Sequence, residues 1–431
     1  MSEIPAGAMR FNSDSQKLEY WNGSAWFQVH TATPNLNGGA RGVWGGGSNA
    51  PGAVTTIDYI NISSGGTAQS FGSLPTARRG NAAFSSSTRG VFAGGYNPNT
   101  NEMKYITFSS TGTVQTFGTL SGNRGIMPGL SNSTRGMVAG GYISSNFDTI
   151  EYVTIASTGN MVDFGANLTQ ERRRLAGMAS ATRGVFSGGA RPSASNQQDF
   201  VTFASTGTCT AWGDTANLSG TTDGMGFSNS TRGIIKAGYV APTGATSTMD
   251  YITIASAGNT QDFGDLSKHG DAGGVAGNSV RALMAGGLVQ PGLVRTAEIS
   301  YVTIHTLGDN VVFGELSNPR WSLTACANRT RTVWGGGGTP TKQSDIEYGI
   351  ISSLGNNTNF GDLTVNMSTC STAGSATRGV WAGGYRDPSG NASANIDYIE
   401  LSTEGNAIDF GDLSHKTTAG GAAVSNGHGG L

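Results

Sequence analysis

Histidines and cysteines, the side chains most often used in metal binding and nucleophilic catalysis, are few and scattered in this chain of 431 residues. The five histidines are His30, His269, His305, His415 and His428. None lies two or four residues from another, so neither a copper centre nor a zinc hydrolase site is predicted. The three cysteines lack the paired spacing of a zinc site, and their odd number leaves at least one thiol unpaired. We therefore predict no catalytic residue, no metal and no cofactor.

One arginine recurs at intervals of 46 to 50 residues, usually within Thr-Arg-Gly and before an apolar stretch that ends in Gly-Gly. The eight positions are Arg41, Arg89, Arg135, Arg183, Arg232, Arg281, Arg331 and Arg378. Together they could form a cationic ring for an anionic ligand. We predict instead that each bonds backbone carbonyls of its own or the neighbouring repeat, since each occupies the same turn. The run Arg172-Arg173-Arg174 occurs in one repeat only and is typical of a solvated loop.

Carboxylates also recur with the repeat. Those directly before a repeated tyrosine are Asp58, Glu151, Asp250, Glu347 and Asp397, whereas Lys104 and Ser300 take this place in two repeats. Carboxylate catalysis uses one asymmetric pair, so a carboxylate present in most repeats indicates a structural role. We interpret Asp265, Asp362 and Asp412, which lie in Phe-Gly-Asp-Leu, in the same way, with calcium binding at these turns as the alternative.

The elements that carry these residues are short β-strands. Each repeat contains a small-residue segment such as 81–85, a segment from the arginine to Gly-Gly such as 89–95, an alternating segment around a tyrosine such as Tyr105, and a segment ending near Phe117. Four strands in about 48 residues match one blade of a β-propeller. The glycine content, 68 of 431 residues without a Gly-X-Y period, agrees with turn-rich β structure.

The two ends of the repeat region indicate how it closes. The segment before Arg41 is a poor strand former, but residues 418–426 after the eighth repeat resemble the first strands of the other repeats. We predict that this C-terminal segment pairs with the strand at Val43 and Trp44, which completes the blade formed by residues 41–74. Such pairing would also satisfy a strand edge that otherwise invites aggregation.

The order of arginine, Gly-Gly, third-strand aromatic and closing aromatic resembles the Kelch repeat. The closing aromatics, where Kelch repeats usually have Trp, are Phe71, Phe117, Phe164, Trp212, Phe263, Phe313, Phe360 and Phe410. The resemblance implies an all-β fold: an eight-bladed Kelch-like β-propeller over residues 36–431, closed by a C-terminal strand. Kelch-like propellers serve as binding platforms, as structural parts and occasionally as enzymes, so the resemblance indicates fold more than function.

Residues 1–35 are predicted to form a separate β-hairpin module, with short strands around 12–16 and a turn at Asn22-Gly23. Tyr20, Trp21, Trp26 and Phe27 offer more aromatic surface than so short a segment can bury by itself, which indicates attachment or oligomerisation through this module. The pattern Gly-x-Arg-(Tyr/Phe)-Asn followed by Leu-Glu-x-(Tyr/Trp)-x-Gly-x-x-Trp resembles a module of tailed-bacteriophage tail-fibre and appendage proteins. The resemblance implies contact with virion proteins and a homo-oligomer, most simply a trimer.

The loops of the repeats differ in variability. Connections between first and second and between third and fourth strands are nearly uniform, while those after Gly-Gly vary in length and composition. Recognition usually diversifies in loops on a rigid scaffold. We expect the variable loops to contact a partner, with Tyr96, Tyr142, Tyr239 and Tyr385 as exposed faces for stacking on a host cell-surface saccharide. The alternative is that these tyrosines only cap their blades.

Charge and hydropathy limit the remaining function classes. A net charge of −2 with 13% charged residues gives no basic surface for nucleic acid or an anionic membrane, and no apolar run approaches the roughly 20 residues of a membrane span. We expect synthesis in the host cytoplasm and localisation in the virion as a tail fibre or surface appendage that mediates host attachment without enzymatic activity. Two alternatives are a purely structural decoration or tail component, and a glycan-processing enzyme on a propeller scaffold.

Overall fold

The structure is a computed structural model in which the described part of the chain consists of β-strands and turns. The described residues are 5, 7–12, 17–28, 41–49, 52–62, 64, 66–110, 114–191, 195–214, 225–229, 231–236, 239–240, 244–245, 247–254, 260–268, 270–271, 273–289, 292, 294–386, 391–417 and 422–425. They divide into two compact units, Met1–Gly38 and Gly39–Leu431. The predicted division after residue 35 falls close to this boundary. The described residues contain no helix of the length and apolarity that a bilayer crossing requires.

The smaller unit contains one antiparallel sheet with the strands Met9–Asn12, Lys17–Trp21 and Trp26–Gln28. The predicted turn at Asn22-Gly23 is confirmed: the Asn22 side chain accepts hydrogen bonds from the backbone N–H groups of Ser24 and Ala25, both at 2.8 Å, and Gly23 has a φ of 103°. The strand predicted around residues 12–16 ends at Asn12, and residues 13–16 lie outside the described residues.

In the larger unit each repeated arginine begins the second strand of a set of four antiparallel strands. Five sets form separate four-stranded sheets, the set at Arg41 includes Ser48–Asn49 as a fifth strand, and the sets at Arg331 and Arg378 are joined through Tyr385–Arg386 into one ten-stranded sheet. We number these sets, here called repeat units, from 1 at Arg41 to 8 at Arg378. The first strands, in unit order, are Ala422–Ser425, Ala82–Ser85, Gly129–Ser131, Ala176–Ala179, Met225–Ser228, Gly274–Gly277, Thr324–Ala327 and Ser371–Gly374. The second strands are Arg41–Gly45, Arg89–Gly95, Arg135–Ala139, Arg183–Ser187, Arg232–Lys236, Arg281–Ala285, Arg331–Gly335 and Arg378–Ala382.

The third and fourth strands complete each unit. The third strands are Gly52–Asn61, Thr100–Thr107, Phe147–Thr154, Gln197–Thr202, Thr248–Thr253, Glu298–Thr303, Thr341–Ile350 and Asn391–Glu400. The fourth strands are Gln69–Arg78, Gln115–Thr119, Val162–Arg172, Cys209–Asp214, Gln261–Asp265, Val311–Glu315, Thr358–Ser368 and Ile408–Thr417. Short two-residue strands in the loops are Ser48–Asn49, Tyr239–Val240, Gly244–Ala245, Gly270–Asp271, Leu288–Val289, Val294–Arg295, Gly338–Thr339 and Tyr385–Arg386.

The prediction that the C-terminal segment completes unit 1 is confirmed. Val424 pairs with Val43 and Ala423 with Trp44, in an antiparallel register that runs from Gly42–Ser425 to Gly45–Ala422. The first strand of unit 1 therefore comes from the far end of the chain, while its other three strands lie near residue 41. Residues 418–421 and 426, which belong to the predicted segment, lie outside the described residues.

The fourth strands were predicted to end near the closing aromatic, and this is wrong in several units. The strands of units 1, 3, 7 and 8 continue well beyond it, for example from Phe71 to Arg78 and from Phe164 to Arg172. The extension is irregular, because the register between third and fourth strands shifts at β-bulges. It brings Arg78 and Arg172 to the neighbouring unit, where both side chains are fully buried.

The hydrophobic core lies between successive repeat units. One cluster joins Val43 and Phe71 of unit 1 to Phe92 of unit 2, and equivalent clusters join each following pair. A further cluster joins Trp44 of unit 1 to Phe410 of unit 8. Contacts between neighbouring units therefore continue from unit 8 back to unit 1.

The signature residues of the repeat form one stack in seven of the units, and the closing Trp212 side chain of unit 4 lies outside the described residues. The Arg89 guanidinium carbon lies 4.7 Å from the centre of the Tyr105 ring, and that ring meets Phe117 edge-on at 5.6 Å between centroids. The arginine then donates a hydrogen bond to a carbonyl of the next unit, here Ala156 at 2.7 Å. All eight arginines do this, and their acceptors are Ser110, Ala156, Phe203, Ile254, Ile304, Ile351, Leu401 and Ile62. The predicted bonding to backbone carbonyls is confirmed, and the acceptor lies in the neighbouring unit every time.

Candidate binding surface

Antiparallel order places the four connections of a repeat unit at two ends. The turns between first and second and between third and fourth strands lie at one end, called the uniform end. The connection after Gly-Gly and the segment that leads to the next first strand lie at the other, called the variable end.

At the uniform end, the turn side chains are occupied by hydrogen bonds. The Asn132 side-chain oxygen accepts from the backbone N–H groups of Thr134 and Arg135, at 3.0 and 2.8 Å, while its amide donates to the Ala181 carbonyl of the next unit at 3.0 Å. Asn229 and Asn278 repeat this arrangement. The near-uniform composition of these turns therefore has a structural cause.

At the variable end, the Gly-Gly doublet requires glycine. In unit 2, Gly94 has a φ of 62°, and a Cβ atom there would lie 2.4 Å from the Arg124 carbonyl oxygen. Gly95 donates its N–H to that oxygen at 3.0 Å. The doublet thus lets the second strand approach the chain that leaves the fourth strand, and it turns the following residue toward the preceding unit.

In five units the residue after the doublet pairs with a residue at the end of the preceding fourth strand or in the segment that follows it. The described pairs are Arg79 with Tyr96, Gly125 with Tyr142, Arg173 with Ala190, Trp321 with Gly338, and Ser368 with Tyr385. The structure thereby forms a series of rim positions at the variable end, to which three of the four predicted tyrosines belong. Tyr239, the fourth, begins a described strand, but its side chain lies outside the described residues.

Two of the predicted tyrosines contact each other. The rings of Tyr96 and Tyr142 lie 6.1 Å apart between centroids at an interplanar angle of 49°. The Arg79 guanidinium carbon lies 5.9 Å from the Tyr96 ring, and that of Arg173 lies 4.3 Å from the Tyr142 ring. We call these four residues the arginine–tyrosine stack. The prediction that Tyr96 and Tyr142 are exposed is wrong, because both are half-buried by this packing; Tyr385 is exposed, at 38%.

Sequence reasoning missed three residues at these rim positions: Arg79, Arg173 and Trp321. The Trp321 side chain is 38% exposed. Each follows an arginine that is fully buried, namely Arg78, Arg172 and Arg320. The doublets Arg-Arg and Arg-Trp, at a constant distance before the repeated arginine, were the pattern that could have located them.

The interpretation of Arg172-Arg173-Arg174 as a solvated loop is wrong for the first two residues. Arg172 is buried and forms an ion pair with Asp199 of the next unit, and it donates to the Gly188 carbonyl at 2.8 Å. Arg173 is half-buried on Tyr142, and only Arg174 is exposed. Burial lowers the pKa of Arg172 and raises that of Asp199, since removal from water disfavours both charges more than their mutual attraction favours them.

The repeated carboxylates contact the preceding repeat unit. Glu151 pairs with the buried Arg124 and accepts from the Ser121 N–H at 2.9 Å, and Asp58 accepts from the Ser414 N–H at the same distance. Asp199 holds the equivalent place in unit 4, where phenylalanine replaces the tyrosine that identified the position. These contacts give the carboxylates a structural role. Equivalent donors contact Glu347 and Asp397, and Asp250 accepts from Thr260 of its own unit.

The remaining candidates for chemistry do not converge within the described residues. Asp265, Asp362 and Asp412 are exposed, each in its own unit, and no group of three potential metal ligands occurs in the part of the chain that the structure describes. His415 contacts Asp58 at 3.3 Å and Thr56, where unit 8 meets unit 1. His305 lies 3.2 Å from the Asn229 amide. His30, His269 and His428 lie outside the described residues.

The predicted attachment residues of the smaller unit are partly used within it. The rings of Trp21 and Trp26 lie 5.5 Å apart, and the Arg10 guanidinium, which pairs with Glu19, covers Trp26 at 4.2 Å. Tyr20 is 41% exposed, and its cross-strand partner Met9 is 61% exposed. The Phe27 side chain lies outside the described residues.

Two cavities lie along the first strands of units 6 to 8. One of 940 Å³ is lined at the uniform end by residues 277–279, 325–329 and 372–376. The other, of 300 Å³, is lined by residues 273–275, 322–325, 369–370 and 372. Ala325 and Thr372 line both, so the two cavities follow the same small-residue strands.

No family model matches the chain, and no curated protein matches it. Among solved structures, one described as "Structure of YjhT" is similar over 66% of this chain and 98% of its own length, with 11% sequence identity and a TM-score of 0.46. The function must therefore be inferred from the chain's own residues.

Proposed function

We propose that the eight repeat units form a closed Kelch-like β-propeller that acts as a non-enzymatic binding scaffold. The cyclic series of arginine hydrogen bonds supports the closed arrangement, because it passes from each unit to the next and ends with Arg378 of unit 8 on Ile62 of unit 1. The pairing of Val424 with Val43 supports it independently. In this arrangement the first strands surround a central channel, which agrees with the cavities along Ala325 and Thr372.

The binding surface of the proposed scaffold is its variable end, and the ligand is a cell-surface saccharide. The observation that carries this assignment is the contact between Tyr96 and Tyr142, because these two rings come from different repeat units and meet beside loops of variable composition. Aromatic rings pack against the apolar faces of sugar rings while their hydroxyl groups remain available for hydrogen bonds. Tyr385 and Trp321 offer further exposed rings at the rim positions.

The biological setting we propose is a bacteriophage virion, in which the chain is a tail fibre or surface appendage for host attachment. The smaller unit provides the attachment to virion proteins and the assembly of a homo-oligomer such as a trimer. Met9 and Tyr20 support this assignment, since they are cross-strand partners that are 61% and 41% exposed in a sheet of three described strands. An exposed apolar pair of this kind is buried at low cost by a second copy or a partner.

Binding of the fluorescently labelled full chain to a panel of bacterial cells tests the proposed recognition. We expect binding to the surface of particular strains, loss of binding after periodate oxidation of surface sugars, and weaker binding of the variants Tyr96→Ala and Tyr142→Ala. Leu354→Ala, which truncates a side chain 60% exposed at the uniform end, serves as the matched control.

Three results would contradict the proposal. Binding that survives periodate and both tyrosine changes would exclude a saccharide ligand at this surface. Association with virion particles without binding to any cell would indicate a purely structural component. Release of reducing ends from a bound polysaccharide would identify an enzyme.

Size-exclusion chromatography with light scattering tests the assembly role of the smaller unit. We expect an oligomer for the full chain and a monomer for the variant Met9→Glu/Tyr20→Glu, because two carboxylates cannot be buried in the interface without partners. Val294→Glu, which places a charge at a side chain 62% exposed in the larger unit, is the control. An oligomer that survives the double change would contradict this role.

A further inference from the structure

The segments that meet at the arginine–tyrosine stack are rich in arginine. They are residues 78–80, 96–99, 124–126, 142–147, 172–174 and 190–191, which contain seven arginines and no Asp or Glu. The chain as a whole has a net charge of −2, so this concentration of arginine is local. Arg78, Arg124 and Arg172 are buried and paired with carboxylates, so the positive charge at the surface comes from the other four, Arg79, Arg173, Arg174 and Arg191. Positive charge at a surface attracts anions before any specific contact forms.

Arg79 and Arg173 are distinguished from the other arginines of these segments by their contacts. Arg78, Arg124 and Arg172 each have a carboxylate partner and at least one carbonyl acceptor. Within the described part of the chain, the side chains of Arg79 and Arg173 have neither an ion pair nor a hydrogen bond. They contact the faces of Tyr96 and Tyr142. A guanidinium that contacts a ring in this way retains its N–H donors for an outside acceptor.

The backbone holds the stack in place before any ligand arrives. Tyr96 and Arg79 exchange hydrogen bonds at 2.7 and 3.3 Å, and Tyr142 and Gly125 do so at 2.8 and 3.2 Å. The successive units are tied together behind them, since the Ile126 N–H donates to the Gly80 carbonyl at 2.7 Å. A preorganised surface loses little conformational entropy on binding.

We propose that the arginine–tyrosine stack binds an acidic saccharide, in which sugar rings pack on Tyr96 and Tyr142 while carboxylate or phosphate groups of the same polymer bond to Arg79 and Arg173. This inference rests on the proposed saccharide-binding function and adds the charge of the ligand. In the stack the two rings contact each other, and each ring contacts one guanidinium group. This arrangement fits a polymer that bears both apolar ring faces and acidic groups. Charge-assisted hydrogen bonds to both arginines select it over a neutral polymer.

Affinity electrophoresis of the full chain in native gels tests the proposal. The gels contain either polygalacturonate, alginate or a phosphorylated mannan as acidic polymers, or dextran or unmodified mannan as neutral ones. We expect retardation by at least one acidic polymer, reduced retardation as ionic strength rises, and none by the neutral polymers. Arg79→Gln and Arg173→Gln should each weaken binding roughly tenfold or more, since each removes one charged hydrogen-bond donor.

Arg329→Gln is the matched control, because it makes the same change at an exposed arginine of the uniform end. It should leave retardation unchanged, and thermal denaturation of the three arginine variants should show an unaltered midpoint. Tyr142→Phe should retain most binding, whereas Tyr142→Ala should lose it, if the ring face is what the sugar contacts.

The possible results separate this inference from the proposed function. Equal retardation by acidic and neutral polymers, reduced by Tyr142→Ala but not by Arg79→Gln or Arg173→Gln, would overturn the acidic ligand and retain saccharide binding. No retardation by any polymer would overturn both. Retardation that Arg329→Gln reduces as strongly as Arg173→Gln would show general charge attraction and would also overturn the assigned site.

Discussion

The Arg378 guanidinium donates a hydrogen bond of 2.9 Å to the carbonyl oxygen of Ile62, which lies 316 residues earlier in the chain. Every other repeated arginine makes the same bond to a unit that directly follows it in sequence. The contact between unit 8 and unit 1 therefore has the same geometry as the contacts between sequence neighbours. The chain passes from the fourth strand of unit 8 into Ala422–Ser425 of unit 1, but no turn joins that strand to Arg41–Gly45, so only noncovalent contacts hold these two strands together.

The C-terminal strand should be essential at that junction. Val424 is 9% exposed and packs with Val43 and Phe92, so Val424→Asp buries a charge without a partner and should lower the free energy of unfolding by about 3 kcal/mol or more. Val280→Asp, at a side chain 50% exposed, should have little effect. Denaturant titration measures both. Loss of the strand would also uncover the edge at Arg41–Gly45, so light scattering should detect aggregation of the first variant only. Equal stabilities would contradict the role of the strand.

The buried ion pair between Arg124 and Glu151 should contribute differently from the pair between Arg78 and Glu102. Both members of the first pair are 1% exposed, whereas the Glu102 side chain is 35% exposed. Glu151→Gln should therefore lower the free energy of unfolding by about 3 kcal/mol, because it leaves a buried guanidinium without its counter-charge. Glu102→Gln should cost less than Glu151→Gln, because Glu102 is partly in contact with water and Arg78 keeps its hydrogen bonds to the Gly94 and Glu102 carbonyls.

A double change distinguishes the loss of the pair from a packing defect. Arg124→Met/Glu151→Leu replaces the ion pair by apolar side chains of similar size and should recover most of the stability lost in Glu151→Gln. Denaturant titration of the three variants provides the comparison. A double variant less stable than the single one would show that shape rather than charge determines the cost.

Two features could be predicted from the sequence: the local structure of each repeat, and the completion of unit 1 by the C-terminal strand. Gly94-Gly95 and the alternating segment around Tyr105 depend on backbone conformation and strand pairing within one unit, which leave a direct pattern in the sequence. Val424 could be placed beside Val43 because its segment repeats the composition of other first strands. These features are set by interactions within a single repeat.

The arginine–tyrosine stack could not be predicted in the same way. Tyr96 and Tyr142 meet because two units pack side by side, and their separation depends on the geometry of that packing rather than on either repeat alone. Arg172 looked solvated because it lies in a charged run, and only the extended fourth strand brings it to Asp199. Contacts between units are therefore the part of the candidate site that required coordinates.

The carboxylate of Asp397 should make stability depend on pH. Burial raises its pKa in the folded state, while hydrogen bonds from Thr364 and Asn395 partly oppose the shift. A raised folded-state pKa means that the folded chain binds the proton more tightly than the unfolded chain. The contribution of Asp397 to stability is therefore fully present below the unfolded value of about 3.9 and is lost as pH rises through the folded pKa.

Comparison with Asp397→Asn isolates this contribution, because the variant lacks the ionising group. The free energy of unfolding of Asp397→Asn, relative to the unaltered chain, should rise as pH increases from about 4. Thr364→Val removes a hydroxyl donor 2.6 Å from the carboxylate and should raise the pKa of Asp397 further. The free energy of unfolding of this variant should therefore fall more with rising pH than that of the unaltered chain. Denaturant titrations across the acidic range measure all three curves. Parallel curves for Asp397→Asn and the unaltered chain would contradict the assignment.

The three cysteine thiols should be protected from modification in the folded chain. Burial raises the pKa of Cys326 and Cys370 to about 12, and burial together with the nearby Asp199 carboxylate raises that of Cys209 to about 12. Only the thiolate attacks a disulfide reagent, and at pH 8 a thiol with this pKa is ionised in about one molecule in ten thousand. Ellman's reagent should therefore react slowly with the native chain and promptly with all three thiols in guanidinium chloride.

Ser279→Cys is the control for thiol accessibility. It places a thiol at an exposed turn and should add one rapidly reacting thiol per chain in the native state. Because Cys209 is half-buried while the other two are buried, it should be the first native thiol to react, and fast labelling of Cys326 or Cys370 would show that their strands open.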